Sequence, residues 1–103
     1  MDIKELGKEV HQIAVDKGFW DEDRNFGEMI ALVHAELSEA LEADREDAMD
    51  NKLPHRKGVE VELADAIIRI LDMGEGLGLD LEGAIREKIN YNSTRPHKHG
   101  KKY

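Results

Sequence analysis

Two matched pairs of acidic residues are where this 103-residue sequence places its chemistry. Glu36 and Glu39 stand three apart within Ala35-Glu36-Leu37-Ser38-Glu39, and Glu62 and Asp65 repeat the spacing within Glu62-Leu63-Ala64-Asp65-Ala66. On a helix, residues three apart share a face about one turn from each other, so each pair projects its carboxylates together. If the two helices pack antiparallel, the pairs meet across the groove between them. Four carboxylates at that range cannot all stay ionised without cations. Oxygen-only donors select a hard ion, magnesium or manganese. A single Glu-x-x-acid pair on a charged helix is ordinarily a solvated face, so the argument rests on finding two of them, on successive long helices, each beside an apolar stripe.

Other chemistries are poorly served. Without cysteine there is no disulfide, zinc-thiolate site or thiol nucleophile. The Glu-x-x-His of carboxylate iron bundles does not occur. Ser38 lies inside the acidic helix and Ser93 has no acid near it in sequence, which leaves no convincing nucleophilic triad. Gly74, Gly76 and Gly78 lack the Lys-Ser/Thr that closes a phosphate loop and read as a helix stop. His34 reads as a helix-packing residue, because the neighbouring glutamates already supply the oxygens that magnesium prefers. Arg69, four residues after Asp65, reads as its surface ion-pair partner. Two roles are open to Trp20, the only tryptophan: stacking on a nucleobase, or plugging a core or interface.

The elements that must position these residues follow from apolar spacing. Ile3, Leu6, Val10, Ile13 and Ala14 mark a first helix from about Ile3 to Lys17, ended by Gly18. Asn25, followed three positions later by Glu28, resembles a capping box and opens a second helix to about Arg45, with Ile30, Val33, Leu37 and Leu41 as its buried stripe. The period lapses from Glu46 to Lys57, the main loop or a disordered stretch. It returns with Val59, Leu63, Ala66, Ile67, Ile70 and Leu71 in a third helix stopped by Gly74, Gly76 and Gly78. Asp80 caps a fourth helix, carrying Leu81, Ala84, Ile85 and Ile89, to about Asn92, and Pro96 forbids continuation beyond Arg95. The expected fold is an all-α four-helix bundle in one domain over residues 1–103, with a basic tail from about residue 93 to 103. Helices this amphipathic in so small a chain leave apolar surface that one copy covers poorly, so a homo-oligomer is expected.

Charge narrows the partners. The net charge is −8, yet residues 88 to 103 contain Lys88, Arg95, Lys98, Lys101 and Lys102 with no acid, so the remaining 87 residues total −13. Most of such a molecule would repel a phosphate backbone, and no nucleic-acid partner is expected. No apolar run approaches the roughly 20 residues of a membrane span. Met1-Asp2-Ile3-Lys4-Glu5 lacks the basic-then-apolar order of a secretion signal, and a cytoplasmic location is expected.

Taken together, the two acidic motifs and the fourth helix leading into Lys88-Ile89-Asn90-Tyr91-Asn92-Ser93-Thr94-Arg95-Pro96 resemble the MazG-like all-α nucleoside triphosphate pyrophosphohydrolases over nearly the whole chain. That family's pattern is Glu-Glu-x-x-Glu, then Glu-x-x-Asp on the following helix. The closing Asn-x-x-Arg-Pro-x-x-His-Gly-Lys-Lys stretch is similar to that of its small members. Here Ala35 stands at the first Glu of the doublet, and the loop between the acidic helices is short. The resemblance implies a homodimer or homotetramer in which Glu36, Glu39, Glu62 and Asp65 bind Mg2+ and act in catalysis. It also implies that Lys88, Asn92 and Arg95 contact the phosphates of a nucleotide cut between its α and β phosphorus atoms. Phosphoribosyl-ATP pyrophosphohydrolase is similar in size and acidic motifs, although the basic tail and the Gly-Phe-Trp connector look closer to the MazG-like branch. A non-catalytic helical oligomer or adaptor is the reading from a different class.

Overall fold

The computed structural model describes residues 1–103. Four helices, α1 (Ile3–Asp16), α2 (Phe26–Glu46), α3 (Gly58–Gly76) and α4 (Leu81–Ser93), are followed by a single short turn at His97–Gly100. There is no sheet; one isolated bridge pairs Met49 with Lys57 across the loop between α2 and α3. No helix is long and apolar enough to cross a membrane.

The helix starts follow local chemistry. Asp2, Asn25 and Asp80 each turn a side-chain oxygen onto an otherwise orphaned amide of the first turn, those of Glu5, Glu28 and Gly83. Gly18 (φ 88) and Gly78 (φ 70) follow α1 and α3 in the left-handed region that glycine enters without penalty. α3 runs past Gly74 and ends at Gly76, inside the glycine run that composition marked as its stop. Both are kept small by close packing: a Cβ on Gly74 would strike the Leu81 side chain, and one on Gly76 would strike the Trp20 indole. The stretch after α2 is ordered by its own polar groups. Asp50 accepts from the amides of Lys52 and Leu53, and Gly58 donates to Ala48 over 2.9 Å.

α2 and α3 run antiparallel, as shown by Ala43 beside Gly58 at one end and Met29 with Met73 in a shared cluster at the other. The buried core is small: Met29, Val33, Ala66 and Met73, with Trp20 and Ile30 packed against it. α1 lies along α3, while α4 meets the rest only at its start, where the Lys4 amide donates to Glu82 and Leu81 seats on Gly74. The expected apolar stripes are only half buried. Val33, Ala66 and Leu71 are inside, but Leu37, Leu41, Leu63, Ile67 and Ile70 are exposed, and no residue of α4 is buried. Spacing identifies the apolar face of a helix; this chain alone does not have enough helices to cover all of them.

Candidate metal centre

The antiparallel α2–α3 pair brings the two acidic motifs together. Carboxylate oxygens of Glu36, Glu62 and Asp65 lie within 4.8 Å of one another, and Glu39 comes within carboxyl-to-carboxyl hydrogen-bonding range of Glu62. Register explains this: with Ala43 opposite Gly58, residues 36 and 39 of α2 fall level with residues 62 and 65 of α3, and the three-residue spacing turns both pairs into the same groove. His34 and Ala35, beside the motif, are exposed and belong to neither the core nor the cluster.

The electrostatics are those of crowded carboxylates. Burial first, then the hydrogen bond and charge of Glu39, then the charges of Glu36 and Asp65, raise the pKa of Glu62 from 4.5 to about 7. Glu36 is raised as well, by burial and then by Asp65, against the lowering pull of Arg69. Arg69 reaches across to α2, with its Nε 3.8 Å from Glu36 Oε1, rather than back to Asp65 on its own helix. One arginine does not neutralise four acids. The Oε2 atom of Glu62 is shut off from solvent and has no hydrogen-bond partner. A buried acceptor without a donor costs roughly 1–3 kcal/mol, and a divalent cation is one partner that removes this cost. An all-oxygen donor set fits a hard ion.

Next to the cluster, α1, α2 and α3 enclose a cleft of about 370 Å³. Glu36 and Asp65 form part of its wall, Val10, Ile13, Phe19 and Ile68 give it apolar surface, and Lys17, Arg24 and Arg69 bring positive charge. Below it lies a polar anchor that sequence reading missed. Asp72 is buried and accepts from three directions: His11 Nδ1 at 2.8 Å, Trp20 Nε1 at 2.9 Å and Arg24 Nη1 at 3.3 Å. Arg24 also lies over the Trp20 ring, 4.9 Å from its centroid, and His11 meets that ring edge-on at 5.1 Å. The sequence signal was a lone acid inside the apolar run Ile70-Leu71-Asp72-Met73. Trp20, packed on Gly76 and tied to Asp72, anchors the connector between α1 and α2 and does not line the cleft.

The residues expected to hold phosphates stand elsewhere in the chain. Lys88, Asn92 and Arg95 do not line this cleft, because α4 docks at its start and then leaves the other helices. The Lys88 ammonium and Arg95 guanidinium lie over the Tyr91 ring, and Asn92 and Arg95 border a separate hollow of about 630 Å³ shared with Lys98, Lys101 and Lys102. Comparison with known protein families, with characterised proteins and with solved structures finds no match.

Proposed function

We propose that this chain is a magnesium-dependent nucleoside triphosphate pyrophosphohydrolase of the MazG-like kind, releasing a nucleoside monophosphate and pyrophosphate. The observation that carries the reading is the convergence of Glu36, Glu62 and Asp65, with Glu39 beside Glu62 and the Glu62 Oε2 atom buried and unpartnered, at the edge of a cleft wide enough for a nucleoside. Drug-sized ligands ordinarily occupy clefts of about 300–1,000 Å³ with mainly apolar walls and a few placed polar groups. The MazG-like motifs add the reaction class.

Glu36, Glu62 and Asp65, with Glu39 beside them, would hold the cation. When bound, Mg2+ supplies charge neutralisation for the triphosphate and a more acidic water. The chain's own residues have separate tasks. Val10, Ile13, Phe19 and Ile68 offer the apolar wall against which a base or sugar is held dry. Arg69 and Arg24, at the cleft surface, present planar forks that match phosphate oxygens. Asp72 holds the Arg24 side chain in place from below. In the reaction, water oxygen bonds to the α phosphorus, a carboxylate of the cluster takes the water proton, and the bond from the α phosphorus to the bridging oxygen breaks. The electron pair leaves on pyrophosphate, whose charge the arginines balance.

Incubating the chain with canonical and modified nucleoside triphosphates in magnesium and resolving the products by phosphorus NMR tests the reading. Monophosphate with pyrophosphate is the expected result. Absence of turnover on every triphosphate, with no magnesium-dependent rise in melting temperature, returns the chain to the class of helical adaptors.

A further inference from the structure

Resting on the triphosphate reading above, we infer that the cleft selects bases with an exocyclic oxygen over bases with an exocyclic amine, and that Lys17 is the residue that reads the oxygen. Lys17 is the one cation of the cleft to which the reaction gives no task. It continues the wall against which the base is held: Val10 and Ile13 of α1 and its C-cap Lys17 line the cleft at i, i+3 and i+7, one face of the helix. Lys17 follows Ile13 by about 6 Å along the axis. Phe19 closes the same end of the wall, with its amide donating to the Ala14 carbonyl over 3.0 Å. The two arginines are already held, Arg24 by Asp72 and Arg69 by Glu36. The Lys17 ammonium enters none of the chain's ion pairs, so all its N–H donors face the cleft uncommitted.

The acceptors of the cleft, by contrast, are committed. Three of its side chains carry oxygen: Glu36 and Asp65 belong to the metal, and Asp72 already accepts from His11, Trp20 and Arg24. The last carbonyls of a helix are the usual spare acceptors. Here those of Ile13, Ala14 and Val15 accept from the amides of Lys17, Phe19 and Gly18. A base held on this wall therefore meets side-chain donors. An exocyclic oxygen, as on uracil, accepts a charge-assisted hydrogen bond from the ammonium. An exocyclic amine, as on cytosine, sets its own N–H groups against a cation that has only donors, and neither side is satisfied. The two bases have the same outline, so the apolar walls cannot separate them; a site that hydrogen-bonds one group is what rejects the isostere lacking it.

Two matched pairs of substrates test this, UTP against CTP and inosine triphosphate against ATP, each exchanging the exocyclic oxygen for an amine. With magnesium, kcat/KM should favour the oxygen member of both pairs by roughly 10-fold or more. Lys17→Met, at an exposed position, should remove most of that preference: turnover of the oxygen members falls about 10-fold, and that of the amine members changes by less than about threefold. Lys17→Arg, which keeps charged donors, should retain the preference. Equal kcat/KM within both pairs overturns the proposal and leaves the pyrophosphohydrolase reading standing. If Lys17→Met lowers all four substrates alike, Lys17 serves the phosphates and the assignment is overturned. Should no triphosphate turn over, calorimetric titration with the α,β-methylene analogues of UTP and CTP decides: the same preference is expected in their dissociation constants, and a chain that binds neither overturns this proposal together with the reading it rests on.

Discussion

Replacing Glu62 by glutamine should make the metal-free protein more stable at alkaline pH and remove most of its response to magnesium. The folded chain raises the Glu62 pKa from 4.5 to about 7, mainly through burial and then through Glu39. Below pH 4.5 the carboxyl is protonated folded or unfolded and nothing is lost. As the pH climbs through that window the unfolded chain releases the proton while the folded chain retains it, so stability falls, and above about pH 7 the full cost is present. At about 1.4 kcal/mol per unit the shift is worth about 3 kcal/mol at most, and solvent at the open side of the cluster reduces this to about 1–2 kcal/mol. Glutamine keeps the shape without the charge. Circular-dichroism melts in chelator, at fixed protein concentration, should therefore show E62Q melting about 5–10 °C above the unsubstituted chain at pH 8, and level with it at pH 4.5. Adding magnesium at 100 times its dissociation constant should stabilise the unsubstituted chain by about 2.7 kcal/mol and the variant far less. A variant that melts lower at both pH values would mean that Glu62 is an ordinary structural hydrogen-bonding group and would refute the reasoning.

Asp65→Ala should abolish turnover while leaving the helical spectrum and melting temperature intact or raised, since it relieves the repulsion felt by Glu36; parallel activity and melting measurements check this. Arg69→Ala, at the cleft and 3.8 Å from Glu36, should lower kcat/KM more than Arg95→Ala on α4; the reverse order would show that phosphates are reached from the fourth helix. Asp72→Asn should cost about 2–4 kcal/mol in urea unfolding, because it removes a buried carboxylate that three donors share.

The four helices and two of their caps, Asn25 and Asp80, were legible because both depend on residues within a few positions of each other. The acidic cluster was legible for a related reason: two three-residue spacings on successive helices converge once the helices pair antiparallel, and a short loop leaves that pairing as the simple outcome. The Asp72 anchor was not legible. Its partners His11, Trp20 and Arg24 lie 61, 52 and 48 residues away, and nothing local to Asp72 points to them. Gly74 inside α3 and Gly76 at its end serve packing for an equally distant reason, since Leu81 and Trp20 require the space their missing side chains leave. Leu37 and Leu41, expected in a buried stripe, are exposed, as are Leu63 and Ile67, because periodicity finds the apolar face of a helix and carries no information about what covers that face. The cations of the cleft, Lys17 and Arg24, come from the end of α1 and the connector after it, where no motif distinguishes them from other surface charge.

Product analysis in water enriched in the heavy oxygen isotope tests the central claim most directly. Turnover of any accepted nucleoside triphosphate with magnesium should yield pyrophosphate together with a monophosphate that carries the isotope, because attack falls on the α phosphorus. Orthophosphate with a nucleoside diphosphate, the isotope residing in the orthophosphate, would place attack at the terminal phosphorus and contradict the account.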